Sequence, residues 1–427
     1  MVDWVAVSAF KASLKSQVGR LFRVKKISEP AQPLFLPFDL KFYRYWYPDL
    51  RELSDNQLVE HWNTFGQTEG RRGVRPQARG LERGVLIVEE LEAETDRREA
   101  ERRANPAAKL PALSIIIKVR NEPEMLGAWL DYHGELFGFE NILVLDNDSD
   151  NPAHWEVLQH YLDKVLVISK GGFYDGFHDP LLNPEAFRWA AVNSKYAVFL
   201  DVDEYLVHRV GDELSGAGVA PFLDTCPQKA YAGTWLWNTA PLASENLDMD
   251  SPIELRVPPP GQIRSGAVAG KAIIPSSALP QVAFLCHNLH GLSTIIQMDA
   301  ESFGQLFVIH LQLLNPGLVR RRAQIHLESR GVLEKGLSQS AALELVQARI
   351  DSGAPLPDIG DERYAHQFVA GKVTYWDASF YEEQTPYTVT INQLKTGITL
   401  PGLEQALEAF DFPALYSEWR TIAEESE

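Results

Sequence analysis

Cysteine is scarce in this chain of 427 residues. Only Cys226 and Cys286 occur, too few for a disulfide framework and not in a C-x-x-C spacing. A reducing, cytoplasmic compartment is the expectation. Long apolar runs are lacking too: none approaches the roughly 20 residues that cross a bilayer. The first residues have neither the apolar core nor the small-residue cleavage site of a secretory signal. Positive charge is in deficit, with 40 Lys and Arg against 58 Asp and Glu, a formal net charge of −18. A general nucleic-acid binder needs a basic surface, so no nucleic-acid partner is expected. What is present is an ordinary globular composition, 45% hydrophobic and 23% charged, in a chain long enough for two or three structural units.

The pattern changes along the chain. Residues 1–30 read as a basic amphipathic helix: Trp4, Val7, Phe10, Leu14, Val18, Leu21 and Phe22 share one arc, and six Lys/Arg accompany them. Such a helix either docks on protein or lies on an anionic membrane surface, which makes residues 1–28 a candidate peripheral membrane contact. Residues 31–80 are expected to form a small aromatic-rich helical module. Phe38, Phe42, Tyr43, Trp46, Tyr47, Trp62 and Phe65 supply its core, and Ser54 or Asp55 is a plausible N-cap. His61 and Trp62 read as packing residues. Residues 81–111 are densely charged, the pattern of a solvated linker helix.

From Leu113 onward, buried strand-like runs alternate with helical stretches. Strands are expected at 113–119, 141–148, 165–169 and 196–206, with helices near 124–137, 154–162 and 184–193. This alternation predicts an α/β fold with a Rossmann-like parallel sheet over 112–325. Ligands in such sheets bind at the carboxyl ends of the strands. Three polar clusters fall there: Arg120-Asn121-Glu122, Asp146-Asn147-Asp148 and Asp201-Val202-Asp203-Glu204. Residues 326–427 read as a mostly helical C-terminal extension, with packing clusters at Tyr375-Trp376 and Phe410–Trp419.

Asp201 and Asp203 carry the strongest chemical signal. In an extended backbone, residues i and i+2 face one side, so both carboxylates could meet one ion. Mg²⁺ and Mn²⁺ prefer oxygen ligands, and Mg²⁺ often takes one or two carboxylates plus phosphate oxygens. The ordinary alternative is a solvated acidic pair, but this pair ends the apolar run Ala197-Val198-Phe199-Leu200, where bare carboxylates are costly. Asp146-Asn147-Asp148 reads either as a turn or as a set of acceptors for a nucleobase and ribose. Glu122-Pro123 also reads as a helix start.

The stretch KVRNEPEMLGAWLDYHGELFGFENILVLDNDSDN resembles the start of family 2-like glycosyltransferases close to glycosyltransferase family 92. The resemblance rests on Arg120, Asn121, Glu122, Leu126, Trp129, Tyr132, His133, Gly138, Phe139, Asp146, Asn147 and Ser149. Phe199, Asp201, Asp203, Glu204 and Tyr205 extend it. Trp235 or Trp237, the segment Gly270-Lys271-Ala272-Ile273-Ile274-Pro275, His287-Asn288-Leu289-His290 and Val308-Ile309-His310-Leu311 are similar to later family elements. Leu311 stands where an aromatic is usual, and Asn238 interrupts the tryptophan motif. Residues 38–73 resemble a module found beside bacterial polysaccharide glycosyltransferases.

The resemblance implies a GT-A fold, a mixed sheet flanked by helices, and a nucleotide-sugar donor, with UDP-sugar favoured. It implies Mn²⁺ or Mg²⁺ held by Asp201, Asp203 and His310. Donor contacts would come from Arg120, Asn121, Glu122, Asp146, Asn147, Asp148, Asp201 and Lys271, and acceptor contacts from Trp235, Trp237, His287 and His290. The expected reaction is an inverting hexosyl transfer to a glycan or lipid-linked hydroxyl in bacterial polysaccharide synthesis, in the cytoplasm or at the inner membrane face. Inversion needs a general base, for which Glu245, Glu254 and Asp299 are candidates. Two other readings stand beside it: a catalytically silent glycan-binding scaffold, and a nucleotidyltransferase. The second should show a Gly-rich loop where this chain has Arg120-Asn121-Glu122-Pro123-Glu124.

Overall fold

A computed structural model describes residues 85–169, 177–257 (save 181), 270–281, 304–353 (save 330 and 335), 359–373 and 382–408, with most of 38–73. The basic helix expected over 1–30 lies outside the described residues, as do 375–376, 410–419, Phe42, Trp46, Cys286, His287, His290 and Asp299.

The strands in chain order are β1 (Val85–Leu86), β2 (Leu113–Val119), β3 (Ile142–Asp146), β4 (Leu166–Ser169), β5 (Tyr196–Leu200), β6 (Glu204–Val210) and β7 (Glu213–Ser215). Then come β8 (Tyr231–Trp237), β9 (Pro252–Arg256), β10 (Gly270–Pro275), β11 (Leu306–His310), β12 (Pro386–Thr390) and β13 (Ile398–Thr399). Eleven of them join one mixed sheet in the order β1-β4-β3-β2-β5-β10-β8-β11-β6-β7-β13, and β12 pairs with β9. The strands β1, β4, β3, β2 and β5 are mutually parallel. Every residue of β2, β3 and β5 is buried, in keeping with their largely apolar runs. Helices Pro123–Phe137, Pro152–Gln159 and Pro184–Asn193 connect them. Each opens on a proline, whose missing N–H costs nothing at a first helical position.

The expected fourth strand, 196–206, is in fact two strands. The chain turns at Asp201–Asp203, where Glu204 N–H donates to the Asp201 carbonyl at 3.1 Å and Asp201 N–H donates to Glu204 Oε2 at 2.8 Å. The extended i, i+2 geometry expected for the two aspartates is therefore absent. The second strand, β6, leaves beside β11 rather than continuing along β2.

Outside this core, Tyr43, Tyr47, Leu50, Leu58 and Trp62 form a separate small cluster at residues 38–73. Ser54 caps the helix Asp55–His61 in a capping box with Gln57. The charged helix Val88–Ala104 is docked rather than solvated: Val88 and Leu91 are buried, and Arg98 and Arg102 reach the helix Pro184–Asn193. The helix Pro316–Ser329 crosses position 325, where the sequence suggested a boundary. It gives Leu318 and Val319 to the main core and Ala323 and Leu327 to a second cluster with Ala342, Val346 and Phe368. The tail then returns, and β13 joins the sheet edge at β7.

Candidate functional site

Two polar clusters sit at the carboxyl ends of the parallel strands. The first joins the loops after β2 and β3. Asn121 adopts φ 53°, a left-handed conformation that asparagine tolerates better than most residues. Its side-chain oxygen accepts from the N–H groups of Asp150 and Asn151, and its own N–H donates to Ser149 Oγ. Asp148 also has positive φ, 54°. Asp146 is fully buried. One oxygen accepts from the Ser149 N–H and the Ser169 hydroxyl, and the other meets His154 Nε2 at 3.1 Å. His154 Nδ1 accepts the Glu122 N–H, so His154 is the Nε2–H tautomer and donates to Asp146. Burial raises the Asp146 carboxyl, but these hydrogen bonds outweigh it and the net shift is downward. Arg120, 5% exposed, donates to Asn147 Oδ1 at 3.4 Å, and no carboxylate pairs with it among the described residues.

The second cluster forms where the sheet changes direction. In β11, His310 lies opposite Glu204 of the antiparallel β6, and Leu311 N–H donates to the Asp203 carbonyl at 2.9 Å. This pairing brings His310 back across 107 positions: its Nε2 is 3.6 Å from Asp203 Oδ2. Lys271 arrives on β10, whose antiparallel register with β5 carries it to that strand's end. Gly270 precedes it because any Cβ there would fall 2.1 Å from the Gly233 carbonyl oxygen. The Lys271 ammonium, 1% exposed, bonds Asp201 Oδ2 at 2.8 Å and Glu204 Oε2 at 3.1 Å. Trp235 donates its indole N–H to Glu204 Oε1 at 2.9 Å and packs on the His310 ring at 4.8 Å.

Arg322, from the helix Pro316–Ser329, ties the two clusters together. Its Nη1 is 2.5 Å from Asp203 Oδ2, and its Nε is 3.1 Å from Glu122 Oε1. Burial raises the Asp203 carboxyl, yet Arg322 and His310 outweigh it and hold it well below the usual range. Glu122 and Glu204 are raised, chiefly by burial, despite Arg322 beside the first and Lys271 beside the second.

Among the described residues no three acidic, histidine or cysteine side chains converge on a point suited to a metal ion. Asp203 and His310 are the pair that could share one ion, their facing oxygen and nitrogen lying close together, with the Gln312 amide set against the His310 ring nitrogens. An oxygen and an imidazole suit Mn²⁺, with phosphate oxygens and water completing the shell. Asp201 is instead directed toward Lys271.

The residues expected at the donor and at the metal thus lie together: Arg120, Asn121, Glu122 and Asp146–Asp148 at one edge, and Asp201, Asp203, Lys271 and His310 beside them. Lys271 is buried behind Asp201. Trp235 belongs to the carboxylate cluster, and Trp237 packs next to it at 6.1 Å. Of the base candidates, Glu254 is held by Thr239 and Arg256, and Glu245 lies against Gly317 at the start of the helix that bears Arg322. Sequence reasoning missed Arg322, Glu204 as a partner of Lys271, and His154. The run Arg320-Arg321-Arg322, a dozen residues past His310, was the available signal for the first.

No family model matches the chain, and no curated protein matches it. Similar solved structures include a mycobacterial protein, 15% identical over 33% of this chain and 44% of that one, TM-score 0.21. Glucosyl-3-phosphoglycerate synthase from Mycobacterium tuberculosis, with Mn²⁺, UDP and glucosyl-3-phosphoglycerate, is 15% identical over 33% of this chain and 48% of its own, TM-score 0.21. Residues 1–349 of S. aureus TarS are 11% identical over 74% of this chain and 90% of that one, TM-score 0.29. The chain spans less than half the length of the first two. Likeness at this level leaves the reading of the site to its own geometry.

Proposed function

We propose that this chain is a divalent-metal-dependent glycosyltransferase with a GT-A-type core, moving a hexosyl group from a nucleoside-diphosphate donor to a glycan or lipid-linked hydroxyl with inversion. The observation that carries this is the meeting of Asp203 and His310 at the carboxyl edge of the parallel strands, 3.6 Å apart, with Lys271 and Arg322 beside them. Gathering four carboxylates, three of them buried, around two cations is a poor way to gain stability, so the cluster favours a site that handles charge over a silent scaffold. The loop after β2 has no glycine among Arg120–Glu124, which counts against a nucleotidyltransferase.

In this reading Asp203 and His310 would hold Mn²⁺ or Mg²⁺. When bound, the cation offsets charge on the leaving diphosphate. Lys271 keeps Asp201 and Glu204 in place and adds positive potential behind them. Arg120 is free of carboxylate partners among the described residues and faces the donor's nucleotide half, with Asn121 and Asp148 shaping the loop. Asp146 acts by holding that loop. The acceptor oxygen attacks the anomeric carbon as the bond to diphosphate breaks, and its proton passes to a carboxylate. Glu245, near the start of the Arg322 helix, is preferred to Glu254, whose oxygen is already engaged. Trp235 and Trp237 border the acceptor side. A lipid-linked acceptor would place the protein at the inner membrane face through residues 1–28. Deleting 1–28 should reduce flotation with anionic liposomes and leave donor hydrolysis unchanged. Equal flotation removes the membrane contact.

Thermal shift with UDP and GDP, each with and without Mn²⁺, tests the main reading. Stabilisation by one nucleotide only when Mn²⁺ is present supports it. No shift under any condition contradicts it.

A further inference from the structure

Arg322 occupies the same atom that a divalent cation would need. Its Nη1 lies 2.5 Å from Asp203 Oδ2, and that oxygen is the one facing His310 Nε2. A cation shared by Asp203 and His310 and an Arg322 bonded to Oδ2 oppose each other by charge, because both draw on the same carboxylate. Resting on the metal-dependent reading above, we propose that Arg322 is an internal counter-ion that competes with the divalent cation for Asp203 and is released toward the donor diphosphate when the cation and donor enter together.

Three observations carry this. First, among the described residues Lys271 and Arg322 are the cations bonded to Glu122, Asp201, Asp203 and Glu204, so carboxylates outnumber the cations paired with them there. Second, the two cations are not equivalent. Lys271 is sealed at 1% side-chain exposure, whereas Arg322 retains 20% and enters from a helix outside the sheet. Arg322 is thus the one able to withdraw without opening the core. Third, Arg322 has a second anchor: its Nε stays on Glu122 while Nη1 leaves Asp203, so the guanidinium turns rather than departs. A planar fork of this kind binds phosphate oxygens as readily as carboxylates. The exchange makes the empty protein a weak metal binder, because only the fraction of molecules with Asp203 released is competent.

The test is Mn²⁺ binding without nucleotide, read by the loss of free-Mn²⁺ electron paramagnetic resonance signal, for wild type, Arg322→Met and Asp203→Asn. If Arg322 holds Asp203 in most molecules, Arg322→Met should bind Mn²⁺ about tenfold tighter than wild type. Mn²⁺ should also raise its melting temperature more than that of wild type, and UDP should add less further affinity. Arg322→Lys, which keeps charge and helix but loses the fork, should fall between and covers the case in which the methionine variant does not fold. Equal or weaker Mn²⁺ binding by both variants, with Asp203→Asn still abolishing it, overturns the competition and leaves the metal site standing. No Mn²⁺ binding by any form, with or without UDP, overturns both.

Discussion

The chain writes nearly the same phrase twice. Leu143-Val144-Leu145-Asp146-Asn147-Asp148 and Val198-Phe199-Leu200-Asp201-Val202-Asp203 each end an apolar parallel strand on a D-x-D triplet, and the two differ in what answers the buried carboxylate. Asp146 is met by neutral donors that belong to the fold: a backbone N–H, the Ser169 hydroxyl and the His154 imidazole. Asp203 is met by Arg322 and His310, side chains brought from the helix Pro316–Ser329 and from β11, both distant in sequence. Neutral donors close at hand make a fixed joint. Charged partners from distant segments make a site whose occupant can change. The motif alone does not distinguish them; the partners do.

The comparison predicts unequal consequences. The largest is for Asp146→Ala, which strands His154, Ser169 and a backbone N–H in the interior and should cost about 3–5 kcal/mol in urea unfolding. A loss below about 1 kcal/mol would remove the distinction. Asp203→Asn should leave the fold intact but weaken Mn²⁺-dependent nucleotide binding at least about a hundredfold, close to 2.7 kcal/mol by calorimetry. Unchanged binding would move the metal elsewhere. His310→Ala should raise the Mn²⁺ requirement about tenfold, with little effect on nucleotide binding measured without metal.

A pH effect, separate from that ranking, concerns His133, a histidine that has neither cluster's compensation. Buried against Trp129 and Tyr205, it is pushed down to about 3. Its folded pKa lies below the unfolded one, so the unfolded state binds the extra proton between about pH 3 and the ordinary histidine value. Stability should therefore rise with pH across that window and fall on acidification, by no more than about 1.4 kcal/mol per pH unit. Melting temperatures of His133→Phe should show a flatter acid limb than wild type; identical limbs would assign the acid sensitivity to other groups.

Most of the sheet was legible because periodicity reports burial. The run Leu113–Val119 and the three proline-led helices fall close to where their patterns place them. The break at Asp201–Asp203 was not legible, since it depends on the Glu204 carboxylate reaching back to the Asp201 N–H, and a strand pattern runs straight through it. His310 could be singled out only through resemblance, because its approach depends on the β6–β11 pairing. Arg322 stayed hidden because a basic run on a helix ordinarily reads as a solvated face. Lys271, expected among the donor contacts, has its ammonium sealed against Asp201 and Glu204.

The account stands most directly on turnover. Wild type and Asp203→Asn, each with and without Mn²⁺, would be incubated with a panel of UDP- and GDP-sugars, and nucleoside diphosphate release measured. The account predicts release from at least one donor, dependent on Mn²⁺ and lost in Asp203→Asn. Release by Asp203→Asn at the wild-type rate, or no release from any donor by the wild-type protein, would contradict it.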